Sequence, residues 1–372
     1  MENIKKIDSV ELYIIKLPLV RPFENSLKIM THKMALIIKL NLDNLSGWGE
    51  CTADIVPYYF SETIETAKHI TEDFLLPLLF EQKNISVDGI GKIFSIIRGH
   101  NMAKAMVENA LLDLYAKINH MPLYELIGGV EKNIMSGISL GIKTNIAMLI
   151  TQIADSKNKN YHRIKIKIKK GMELDALDVI CKTFSDTSFA VDANGDYSIE
   201  DIKILKKIDD YNLSMIEQPL NYNDLYEHSL LHKSLKTPIC LDESIMNYNS
   251  LISAVALKSC NIINIKQGRV GGLLIAKKMQ NYCMKNGIKV WSGGMLETGI
   301  GRAFNIHLQT LSGFNMPGDT SETSRYFNED IVSKPVTLDK KGYIEIPKGF
   351  GIGVGINTKR LNKYKIFYKY II

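Results

Sequence analysis

Residues 162–170, HRIKIKIKK, set isoleucine at 164, 166 and 168 against lysine at 165, 167 and 169. Strict alternation marks a β-strand, whose successive side chains point to opposite faces. All three lysines are therefore expected on one face. Downstream, three short apolar runs each end in an acid: VDAN (191–194) in Asp192, MIEQP (215–219) in Glu217 and CLDES (240–244) in Asp242. The acids follow one another at intervals of 25 residues, and Lys266, closing NIINIK (261–266), comes 24 after the last. One carboxylate per repeated unit, with lysines before and after, suits a magnesium site worked by two amine bases.

Outward from this stretch the chain alternates strictly. Strand patterns at 134–142, 162–168, 189–194, 213–219, 238–243, 261–266 and 289–294 enclose helical patterns at 146–154, 174–184, 199–208, 224–235, 250–257 and 273–285, and a further helix follows at 299–311. Such βα units predict parallel strands. A barrel is favoured over an open sheet because polar residues stand at the C-terminal end of strand after strand. A closed barrel brings those ends to one face, whereas an open sheet binds mainly at its switch point.

The first part of the chain has a different grammar. VELYIIKL and MALIIKLNL are strand-like, PLVRPFENSLKIMTHK between them reads as a mobile loop, and helices are expected near 61–80 and 102–118. After Phe314 the rhythm breaks into short strands with glycine turns, which are expected to fold back onto the N-terminal part. The expected organisation is a capping domain over 1–128, completed by about 322–372, and a barrel over 129–321.

The 372 residues, 45% of them hydrophobic, suffice for a barrel with a smaller companion. The net charge of +6 is spread rather than clustered, which argues against nucleic acid and suits anionic small molecules. Five scattered cysteines without a C-x-x-C argue for a reducing compartment and against a zinc or disulfide framework. With no signal-like leader and no apolar run of membrane length, a cytoplasmic enzyme that does not engage a membrane is expected. Two other features promise less. GFGIGVG (349–355) has no helix pattern after it to make a phosphate loop, and His228 and His232 read as a surface pair.

Asp192, Glu217 and Asp242 are oxygen donors suited to a hard cation that keeps positions open for substrate. Inside a barrel, Lys165, Lys167 and Lys169 must meet charge or act in chemistry. Their mutual repulsion and a nearby metal ion are expected to lower the pKa of a lysine base.

GWGEC (47–51), KIK (165–167), DAN, IEQPL, LDESI, NIKQGRVGG, WSGGMLETGIGRA and PGDTS together resemble the muconate-lactonizing-enzyme subgroup of the enolase superfamily, across nearly the whole chain. That superfamily is itself a standard example of a Lys or His base working with magnesium. The resemblance implies a modified (β/α)7β TIM barrel, an α/β fold, with an α+β capping domain. It implies Mg2+, or Mn2+ or another divalent cation, on Asp192, Glu217 and Asp242, with Asn194 and Glu243 supporting the metal shell. Lys167 would be the base on one face of a small carboxylate substrate, Lys165 would tune it, and Lys266 would lie on the other face. Ser139, Gly294 and Leu296 match the acyl pocket, and Phe23 and Tyr59 match the loops that close over the substrate. Arg269 resembles the form seen in racemase-containing branches. Asp54 departs from the apolar residue frequent in relatives. The implied activities are o-succinylbenzoate synthesis and N-succinylamino acid racemisation, in a homo-oligomer; a non-catalytic magnesium-binding scaffold is the remote alternative.

Overall fold

A computed structural model describes residues 1–24, 29–141 and 145–372, with the side chains of Phe23 and Glu24 outside that description. Three strands open the chain: β1 (Ser9–Glu24), β2 (Ile29–Leu42) and β3 (Leu45–Cys51). They pair antiparallel, and β2 turns into β3 at Asp43, whose φ of 50° suits a tight hairpin turn. The expected loop over 18–33 is corrected at its two ends, while 25–28 lie outside the described residues. Pro18 pairs with His32 and Phe23 with Met30, so the first two strands stay paired on both sides of one irregularity. The proline and polar residues obscured a ribbon that has few core positions to give it an alternating pattern.

The Asn101–Ile118 helix lies on this sheet and is buried on nearly all sides. The GWGEC glycines allow its close approach: a Cβ on Gly49 would come within 2.0 Å of Met106 O, and one on Gly47 within 2.1 Å of Ala110 O. Its buried acids and amides tie it to its neighbours, although Asn109 Oδ1 is left without a partner. Asp113 accepts from Trp48 N (2.9 Å) and Ile352 N (2.8 Å), and Asn109 donates to Gln267 (2.8 Å).

After a two-residue strand, β4 (Ile134–Met135), seven parallel strands follow: β5 (Gly137–Leu140), β6 (Arg163–Lys167), β7 (Phe189–Asp192), β8 (Leu213–Glu217), β9 (Ile239–Leu241), β10 (Ile262–Ile265) and β11 (Lys289–Ser292). They pair in sequence order, with helices between them. The segment after the Gly299–Leu308 helix joins the two edges: Phe314 bridges Val290, Gly318 bridges Ser136, and Gly137 N donates to Gly318 O at 2.7 Å. The sheet thus curls into the modified barrel expected from the sequence.

The C-terminal expectation holds only in part. β12 (Tyr343–Ile344) pairs with β4 beside the barrel, and only β13 (Lys365–Ile371) returns to the first sheet, as an edge strand on β1. One of the two histidines also differs from its reading: His228 is fully buried, and Leu220 N donates to its Nε2 at 3.3 Å. No helix among the described residues is long and apolar enough to cross a membrane.

Candidate active site

Strand register decides which side chains meet. Lys167 is paired with Asp192, Asp192 with Glu217, and Glu217 with Cys240, so one row crosses four neighbouring strands. Asp242 stands two residues beyond Cys240, and therefore on the same face. Asn264 continues the row from β10, and Lys266 follows that strand directly. The regular chain spacing has become a shared position at one end of the barrel. Lys167 and Lys266 end on opposite sides of it, with β7, β8 and β9 between their strands.

β6 stops at Lys167, and Lys169 lies exposed beyond it. The expectation that all three lysines face inward is corrected: Arg163, not Lys169, is the third inward cation. Its guanidinium stacks 3.9 Å from the centre of the Trp291 ring and pairs with Asp319. The same alternation, read two residues earlier, pointed to it.

The ionic pairs are short and buried. Lys165 Nζ lies 2.6 Å from Glu217 Oε2, 3.0 Å from Asp319 Oδ2 and 3.4 Å from Asp192 Oδ2. Lys167 Nζ reaches Asp192 Oδ2 at 3.0 Å and also bonds Asn194 Oδ1, while Asn194 Nδ2 donates to Glu243 at 2.8 Å. On the other side Lys266 Nζ lies 2.7 Å from Asp242 Oδ2 and 2.8 Å from the Tyr59 hydroxyl, which Arg269 also bonds at 2.6 Å. Arg269 completes the group with an ion pair to Asp242. Asn264 Nδ2 donates to Glu217 Oε1 at 2.8 Å. Gln218 Oε1 accepts from Asp242 N and Ser244 N, fixing the loop that carries Asp242.

The electrostatics follow from that crowding. Burial pushes the Glu217 carboxyl up to about 8, and Asp192, Asp242 and Asp319 add to the rise against the pull of Lys165. Burial and the same two aspartates, Asp242 and Asp192, push Glu243 up to about 7. At Asp242 burial is overcome by Lys266 and Arg269, which hold it well below the usual carboxylate range. At Lys165 and Lys266 the balance runs the other way from Asp242. Burial favours their neutral form, but Asp319, Glu217 and Asp192 raise Lys165, and Asp242 and Tyr59 raise Lys266. Surrounding carboxylates, rather than neighbouring cations, dominate both lysines.

Lys165, Lys167, Lys266, Asp192, Asn194 and Asp242 line a cleft of about 140 Å³, which also takes in Ser139, Asp54, Tyr59, Gly294 and Leu296. Ser139 Oγ donates to Asp319 at 3.1 Å. Leu296 adopts φ 58°, a left-handed backbone rare for a bulky residue and typical of strained functional loops. Phe23 has its backbone at the end of β1, and its side chain lies outside the described residues.

Whether the residues fit a metal ion can be judged from their chemistry. Among the described residues no group of three or more acids, histidines or cysteines stands ready to hold one, because ammonium groups occupy the carboxylate oxygens. The donor set is nevertheless all oxygen, as a hard cation requires. Glu243 Oε2 and Asn264 Oδ1 are buried without partners. The residues fit a divalent cation that shares the acids with the lysines.

The chain belongs to the enolase superfamily. Residues 148–360 match the enolase C-terminal domain-like family, and residues 9–128 match the mandelate racemase / muconate lactonizing enzyme N-terminal domain. It is an enzyme of that superfamily, whose members generally use a divalent metal. The chain is similar to an o-succinylbenzoate synthase from Geobacillus kaustophilus, 42% identical over 98% of this chain and 97% of the relative. It is 36% identical to an N-succinylamino acid racemase from Thermus thermophilus, over 98% of this chain and 99% of the relative. Among solved structures, an enolase superfamily member from Listeria innocua superposes with a TM-score of 0.95 at 38% identity, covering 99% of this chain and all of the other.

Proposed function

We propose that this protein is an o-succinylbenzoate synthase. It would dehydrate 2-succinyl-6-hydroxy-2,4-cyclohexadiene-1-carboxylate to o-succinylbenzoate, a step of menaquinone biosynthesis, and the same site would also racemise N-succinylamino acids. The observation that carries this reading is the placing of Lys167 and Lys266 on opposite sides of one row of buried acids. Relatives with both names, alike over almost their full length, support it.

A proton α to a carboxylate is weakly acidic, so its removal needs a placed base and stabilisation of the developing charge. A bound Mg2+, held by Asp192, Glu217 and Asp242 with Asn194 and Glu243 beside them, supplies charge stabilisation at the substrate carboxylate. Lys167 takes the proton and returns it to the departing hydroxyl on the same face. The Lys266 ammonium, held by Asp242 and Tyr59, faces the ring from the other side and stabilises negative charge there. In racemisation the two lysines exchange roles, since the proton must return from the opposite face. Lys165 bonds Glu217 and Asp319 and so keeps a positive charge beside Lys167. Ser139, Gly294 and Leu296 take the acyl group, and Phe23, Asp54 and Tyr59 close over the rest.

The division into a capping unit, 1–128 with 322–372, and a barrel, 129–321, belongs to the same reading; β13 on β1 supports it. A dedicated racemase is the second reading. It is favoured by Arg269, which braces both partners of Lys266, Asp242 and Tyr59. Parallel kcat/KM measurements with both substrates and magnesium decide between them. The synthase reading expects dehydration at least as efficient as racemisation. Racemisation alone would overturn it, and metal binding with neither reaction would return the scaffold alternative.

A further inference from the structure

We infer that Lys33, on the second strand of the capping sheet, is the anchor for the distal carboxylate of the succinyl group. This inference rests on the reading above and adds a specificity residue to it. Both proposed substrates carry two carboxylates, one at the reacting carbon and one at the far end of the acyl chain. The second needs a cation of its own.

Among the described residues the cations that line the cleft are Lys33, Lys165, Lys167, Lys266 and Arg302. Lys165, Lys167 and Lys266 are each bonded to an acid at 3.0 Å or less. Arg302 is taken up by Glu297 O and Thr323 Oγ1, both at 3.1 Å. Lys33 differs. It is only 6% exposed, and its ammonium has one long contact, 3.4 Å to Met295 O. Among the described residues no carboxylate is in ion-pair range of it. An ammonium can donate three hydrogen bonds, and burying it with one weak partner is unfavourable unless a ligand completes the set.

The nearby acids are already occupied. Glu50 accepts from Thr298 and from Gly301 N, Glu62 from Met102 N and Ala103 N, and Glu297 from Met295 N and Asn305. Lys33 does pull the Glu50 carboxyl down against the rise that burial causes, which gives it a supporting role too. Its position relative to the chemistry comes from the loop after β11. A Cβ on Gly293 would approach Lys266 Cε to 2.7 Å, and Met295 O touches Lys33. Two residues of backbone, at most about 7 Å, separate these contacts. A substrate held against Lys266 can therefore extend an acyl chain along this loop to Lys33.

The test compares N-succinyl-L-valine with N-butyryl-L-valine, which keeps the four-carbon acyl chain and lacks the distal carboxylate. Racemisation by the magnesium-loaded enzyme is followed by circular dichroism. The ratio of kcat/KM, succinyl over butyryl, is expected to fall at least tenfold in Lys33→Met, mainly through KM, and to recover in Lys33→Arg. Lys33→Gln serves if the methionine variant does not fold. An unchanged ratio, or an equal loss on both substrates, would overturn the inference and leave Lys33 as a support for Glu50. A wild-type enzyme that turns over neither N-succinyl-L-valine nor the synthase substrate would overturn the parent reading instead.

Discussion

Lys167 is the residue on which the chemistry turns. Its ammonium lies between Asp192 and Asn194, both at the C-terminal end of β7, and it faces the cleft. Replacing it with alanine removes the base while leaving the acid row. Dehydration in Lys167→Ala should fall by about 10²–10⁴-fold, the usual worth of a placed acid–base group, and turnover within threefold of wild type would refute that role. At this scale much was legible: three acids and two lysines could be named because strand alternation and βα spacing are local. What escaped was anything set by the far side of the barrel. Asp319 pairs with Arg163 and Lys165 across more than 150 residues of chain, and no periodicity encodes that contact. The charge balance at Lys165 and Lys266 was hidden for the same reason, since it depends on acids delivered by other strands.

Elements are held to one another by buried polar groups and by glycine. Gly49 lets β3 lie against the Asn101–Ile118 helix, where a Cβ would strike backbone, which cannot swing aside. Gly49→Ala should therefore destabilise the protein by about 1–3 kcal/mol, as overpacking does; an unchanged urea midpoint would contradict this close approach. On the same helix Glu108 accepts from Leu274 N at 2.9 Å, at the start of the Leu273–Lys285 helix, and is only 4% exposed. Burial pushes its carboxyl from 4.5 up to about 8 against the pull of those amides. Between these values the folded protein holds a proton that the unfolded chain has released. The stabilisation is full below pH 4.5 and is lost as pH rises through 8. Glu108→Gln removes this titration, so its melting temperature relative to wild type should climb between pH 5 and 8, whereas a flat difference across that window would count against it. Helix ends and strand ends could be read from pattern. The β1–β2 pairing could not, because Pro18 and the polar residues beyond it resemble a loop although pairing resumes at Phe23 and Glu24.

The whole molecule places a sheet-and-helix unit from the first part of the chain over one end of a curled parallel sheet. Tyr59, Lys33 and Asp54 from that unit and the lysines and acids of the barrel line a single cleft. Barrel class was legible because repeated βα units leave only two architectures, and polar strand ends favour one of them. Closure by residues 314–318 was not, since isolated bridges carry no alternating signature. The account's central claim is that two lysines address opposite faces of one bound carboxylate. Its most direct test is α-proton exchange of separate N-succinyl-L- and N-succinyl-D-amino acids in heavy water with magnesium, followed by proton NMR. The wild-type enzyme should exchange both enantiomers, Lys167→Ala should lose exchange on one, and Lys266→Ala should lose it on the other. Exchange of both enantiomers surviving in either variant would contradict the account.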